Sequence, residues 1–103
     1  MNDKSIERTL RAIRKNASFG VPLDFQGRCV QAWPAYETEY EVKAGCYTDI
    51  EGLPEYESLC ATGAIVKTSA MGNKDEFITF SATLTESQMR MYLTVADGAD
   101  VEP

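Results

Sequence analysis

The chain has 103 residues, 44% of them apolar and ten aromatic, with a formal net charge of −6. That length fits one domain with a single core of its own, and the apolar content excludes a disordered chain. The acidic balance argues against nucleic acid as the partner, because phosphate contacts need clustered Lys and Arg. The charge is unevenly spread. Residues 1–16 carry five bases (Lys4, Arg8, Arg11, Arg14, Lys15) against Asp3 and Glu7, a net +3, and the remaining 87 residues carry −9.

In chain order, residues 5–17 read first, as an amphipathic helix. Ile6, Leu10, Ile13 and Ala17 recur at 4-3-4 spacing along one stripe, with Lys4, Arg8, Arg11 and Lys15 on the opposite one. Asp3 or Ser5 serves as the cap, and Phe19-Gly20 before Pro22 ends the helix. Arg28–Trp33 reads as a short strand. Tyr36–Lys43 alternates strictly, with Tyr36, Thr38, Tyr40 and Val42 on one face and Glu37, Glu39, Glu41 and Lys43 on the other, the period of a half-buried strand. Gly45–Thr48 continues it past a bulge. The stretch 49–58, with Gly52 and Pro54, reads as a polar loop, and Gly63–Thr68 as another strand. Residues 65–68 and 76–84 around the turn Met71-Gly72-Asn73-Lys74 form an expected antiparallel hairpin. Thr85-Glu86-Ser87-Gln88 is a capping box flanked by Leu84 and Met89 as a hydrophobic staple, which predicts a short helix from Glu86 to about Val95.

The pattern is α+β: an N-terminal amphipathic helix, a small antiparallel sheet that is sandwich- or barrel-like, and a short C-terminal helix. It divides one domain (1–103) into a basic helix (1–18), a strand-rich body (19–84), a short helix (85–96) and a frayed tail (97–103).

Chemistry is sparse. With no histidine, the commonest general base and most zinc sites are missing. Cys29, Cys46 and Cys60 are an odd number at wide spacings without a CxxC pair, so they read as buried thiols in a reducing compartment rather than as disulfides or metal ligands. Glu37, Glu39 and Glu41 share a strand's solvent face and do not oppose one another across a cleft. No metal, cofactor or enzymatic activity is expected. No apolar run suits a signal peptide or a membrane span, so the expected location is the cytoplasm, or a virion.

Binding signals are better. The basic stripe is open to three readings: a solvated helix face, a dock for an acidic surface including a neighbouring copy, or a contact to nucleic acid or an anionic membrane. The last is disfavoured by the lack of Trp or Phe within the helix. The stretch from Glu37 to Glu57 has seven acids against Lys43. It reads either as a solubilising face that blunts a strand edge or as a phosphate mimic for a basic groove on a target. Tyr36 and Tyr40 stand beside these acids as core residues or as interface anchors. The protein-binding candidates are therefore Arg8, Arg11, Lys15, Glu37, Glu39, Glu41, Tyr36 and Tyr40.

Two segments are similar to small phage-encoded proteins, in particular the immunoglobulin-like domains of tail, baseplate and fibre-attachment proteins. Pro22-Leu23-Asp24-Phe25-Gln26-Gly27 followed by Cys29-Val30-Gln31-Ala32-Trp33 resembles their first turn and strand. Phe77–Thr85 running into Glu86-Ser87-Gln88 resembles a late strand and its turn. The resemblance covers about a quarter of the chain and carries over no functional residues. It implies a non-catalytic virion or assembly role in an oligomer. The expected function is a phage-type assembly protein acting through protein–protein contacts, as a possible homo-oligomer. The alternative is an acidic inhibitor or anti-defence protein that occupies a nucleic-acid site on its target.

Overall fold

The computed structural model describes residues 1–16, 18–47, 49–72 and 77–101. The elements in order are α1 (Asp3–Lys15), β1 (Val21–Phe25), β2 (Arg28–Pro34), β3 (Tyr40–Cys46), α2 (Pro54–Ala61), β4 (Lys67–Met71), β5 (Phe77–Leu84), α3 (Glu86–Val95) and β6 (Gly98–Ala99). The strands form one antiparallel sheet in the order β4-β5-β3-β2-β1-β6. The α+β class and both terminal helices stand as the sequence predicts. The sheet is single and open, with β4 and β6 at its edges, rather than closed into a barrel.

Period-two alternation decides which face is covered. Val21, Leu23 and Phe25, Val30 and Ala32, Tyr40 and Val42, and Phe80, Ala82 and Leu84 are buried. They meet Ile6, Leu10 and Ile13 of α1, Leu59 of α2, and Met89, Tyr92 and Leu93 of α3 in one core. The opposite face shows Asp24, Cys29, Glu41, Lys43 and Thr83 to solvent. All three helices therefore lie on one side of the sheet.

Local chemistry explains the elements. Asn2, not Asp3 or Ser5, caps α1, its side chain accepting from the Ser5 amide at 2.8 Å. The α-ammonium of Met1 donates to the carbonyls of Leu93, Thr94 and Ala96, where the α3 dipole favours positive charge. Gln26 and Gly27 join β1 to β2 with φ of 54° and 84°, the two left-handed residues of a type I′ turn. The α3 capping box is complete. The Thr85 hydroxyl accepts from the Gln88 amide at 3.2 Å, and the Gln88 side chain accepts from the Thr85 amide at 3.0 Å. Thr85→Ala is expected to cost about 1 kcal/mol in urea denaturation while Thr85→Ser retains most of it; equal stability of the two would mean that the hydroxyl does not cap α3.

Several expectations are overturned. Residues 36–39 turn rather than extend, with Glu37 at φ 56°, because the β2–β3 connection closes there through the Glu39 amide on the Tyr36 carbonyl. No bulge interrupts β3 over its described residues. Gly45 pairs in register with Thr79, and its missing side chain serves packing: a Cβ would lie 2.5 Å from the Phe77 ring. The stretch read as a polar loop contains α2, begun by Pro54 in the first turn, where its missing N–H costs nothing. The strand read at Gly63–Thr68 starts at Lys67 and runs to Met71. The tail is tied down over its described residues, 97–101: the amides of Asp97 and Asp100 donate to the carbonyls of Asp24 and Pro22, and Gly98–Ala99 pairs with β1. No disulfide forms, but Cys29 and Cys60 are exposed and Cys46 is half-buried, because Cys29 sits at an outward-facing register position of β2. Ala17, Thr48, residues 73–76, on which the end of the expected turn and the first residue of the expected strand fall, and Glu102–Pro103 lie outside the described residues.

Candidate protein-binding surface

One end of the sheet gathers the C-terminal turn of α1, the start of β1, the end of β2 and the start of β3, since Val21 pairs with Ala32 and Pro34 with Tyr40. Helical spacing puts Arg11, Arg14 and Lys15 on adjoining positions of α1 here. Arg14 is fixed twice. Its guanidinium carbon lies 4.2 Å from the centroid of the Tyr40 ring, and Nη2 donates to the Glu39 carbonyl at 2.9 Å. That pair of contacts fastens the Tyr36–Glu39 turn against the basic stripe.

A groove of about 300 Å³ runs between α1 and the start of α3, lined by Glu7, Arg11, Arg14, Lys15, Tyr40 and Glu86 over Leu10. Its acids are engaged with Arg90, which bonds Glu7 at 2.5 Å and lies 3.9 Å from Glu86. The Arg90 hydrogen bond holds the Glu7 carboxyl below its usual range, with Arg90 and Arg11 charges adding to the effect. Glu7 is therefore ionised at neutral pH and neutralised by Arg90, and Arg11, Arg14 and Lys15 outnumber the remaining acid, Glu86, in setting the sign of the groove.

At the same end of the sheet, large apolar side chains stand in water on the turns that follow α1 and β2. Phe19 is 84% exposed and Tyr36 78% exposed. Trp33 lies half-buried across Gly20 at the same end but on the open face of the sheet, opposite Glu41 in the register. Arginine, tyrosine and tryptophan are the residues that anchor protein interfaces.

The expected site residues divide. Arg11, Lys15 and Tyr40 line the groove, with Tyr40 as its buried aromatic wall rather than an exposed anchor. Tyr36, Glu37 and Glu39 form the adjoining turn. Glu41 points to the open sheet face, and Arg8 lines a different groove with Asn2, Ser5 and Asp97. Sequence reasoning missed Phe19, Arg14 and Glu86. A large apolar residue inside a helix-ending turn was a usable sign for Phe19, whereas the Arg14–Tyr40 contact had no signal in the sequence.

Elsewhere, Arg28 bonds the buried Glu55 at 2.6 Å and joins β2 to α2. Partial desolvation of its sulfur on the sheet face, then the charges of Asp24 and Asp100, push the Cys29 thiol up, which keeps it protonated at neutral pH. Among the described residues no group of three or more His, Cys, Asp or Glu could hold a metal ion, and no helix is long and apolar enough to cross a membrane. No protein-family model, no curated protein and no solved structure matches the chain.

Proposed function

We propose that this is a non-catalytic assembly protein that works by protein–protein contact, and that the end of the sheet formed by α1 and the β2–β3 turn is its contact surface. The observation that supports this most is the exposure of Tyr36 on a turn fastened to an arginine already locked in place by Tyr40 and Glu39, with Phe19 exposed at the same end. Exposed aromatics contribute most when their surroundings lose little freedom on binding, and Arg14 has already lost its own. The alternative of an acidic inhibitor drew on small size and on the seven acids from Glu37 to Glu57, with Glu37, Glu39 and Glu41 aligned on one strand face. Glu37 and Glu39 now sit in a turn and Glu41 on the open face, so that motif gives it no support.

The test compares wild type with Arg11→Glu/Lys15→Glu and with Tyr36→Ala as immobilised baits in extract of the cells that make the protein. Capture by wild type that falls at least about tenfold in both variants, and weakens in high salt, is the expected result. Capture unchanged in both variants would remove the contact surface from this end.

A further inference from the structure

We infer that the partner on this surface is a second copy of the chain, docked about a two-fold axis. The inference rests on the contact surface proposed above and adds the identity of its occupant. A two-fold interface must be self-complementary, because each residue patch meets its own copy rotated by half a turn. The Arg14 bond to the Glu39 carbonyl creates that condition by holding a basic stripe and an acidic turn side by side. Arg11 and Lys15 line the groove beside Arg14, and Glu37 and Glu39 belong to the turn whose Glu39 carbonyl Arg14 holds. Half a turn about an axis between them brings the stripe of each copy onto the turn of the other, making two equivalent sets of charge pairs. The exposed ring of Tyr36, on the turn itself, falls near the axis and meets its own copy. Of the other acids of the groove, Glu7 is bonded by Arg90, and Glu86 belongs to the start of α3 on the far wall. A surface of one sign would repel its own copy, and the −9 carried by residues 17–103 makes an unpatterned self-contact unfavourable.

Charge-swap complementation tests this directly by light scattering coupled to size exclusion. The wild type is expected at twice 11.4 kDa in low salt and at 11.4 kDa in high salt. Arg11→Glu/Lys15→Glu alone and Glu37→Lys/Glu39→Lys alone are each expected at the single-chain mass. An equal mixture of the two variants is expected to recover a dimer of one chain of each kind. Recovery in the mixture shows that both variants fold, so loss of mass in either alone is a loss of contact. A wild type at single-chain mass at every concentration overturns the two-fold dimer. So does a dimer in either variant alone, or a mixture that does not combine. The surface itself fails separately: it stands if capture from extract still depends on Arg11, Lys15 and Tyr36 while the wild type is monomeric. It falls with the dimer if capture is indifferent to them.

Discussion

Tyr92→Ala is expected to destabilise the fold by about 3–5 kcal/mol, a large share of the roughly 5–15 kcal/mol of a small domain. Tyr92 is fully buried on α3, its ring 4.8 Å from that of Phe25 on β1, and its hydroxyl donates to the Glu55 carbonyl on α2 at 2.8 Å. One side chain thus joins α3 to the sheet and to the neighbouring helix. Burial, then the nearby Glu55 charge, raises the phenol far above its ordinary range, so it remains a donor at any working pH. Truncation leaves a cavity the size of a ring and an unmet buried carbonyl. Tyr92→Phe keeps the ring and isolates the hydrogen bond, with an expected loss of about 1 kcal/mol. Thermal melts separate them, because each kilocalorie moves the midpoint of a domain this size by roughly 4–8 °C. If Tyr92→Ala lost no more than Tyr92→Phe, the ring would not be the centre of the core.

Gly20→Ala carries the second large effect, about 2–4 kcal/mol, from two separable causes. Gly20 has φ +74°, which costs an L side chain about 1 kcal/mol or more. A Cβ there would also lie 2.8 Å from Trp33 Cε2 and 2.9 Å from Nε1, so the indole must move or the turn must open, adding about 1–3 kcal/mol. Gly27 supplies the control. Its φ is +84°, but a Cβ at Gly27 would meet no atom within 4 Å, so Gly27→Ala carries the backbone cost alone. Trp33 is the single tryptophan, and its emission reports its own displacement. A shifted spectrum and a larger loss are expected for Gly20→Ala than for Gly27→Ala. Equal losses with unchanged emission would mean that Trp33 is not seated on Gly20.

What the sequence made legible was local. The α1 stripe, the capping box at Thr85 and Gln88, and the Leu84–Met89 staple are written within a few residues of one another. The structure places the described residues of all three as read, except that α1 starts under Asn2 and ends at Lys15 rather than spanning 5–17. What it hid depended on distant partners. β6 is two residues long and has no periodicity to detect; it exists because Asp97 and Asp100 find the carbonyls of Asp24 and Pro22. The Tyr36–Lys43 alternation is genuine, yet only from Tyr40 onward does the β5 register extend it into a strand. Pro54 supports two opposite inferences, a breaker within a loop or the first turn of a helix, and burial of Leu59 decides for the helix. The same division holds for the contact surface. The basic stripe was visible from spacing alone, but the turn that carries Tyr36 and Glu37 comes to it through the strand register and the Arg14 contacts.

The most direct test of the contact surface is zero-length carbodiimide cross-linking of the protein in native extract, with the joined peptides identified by mass spectrometry. The proposed surface requires intermolecular links that use Lys15, or the carboxylates of Glu37 and Glu39. Links confined to Lys43 and Lys67, on the strands of the open sheet, would place the contact elsewhere and contradict it.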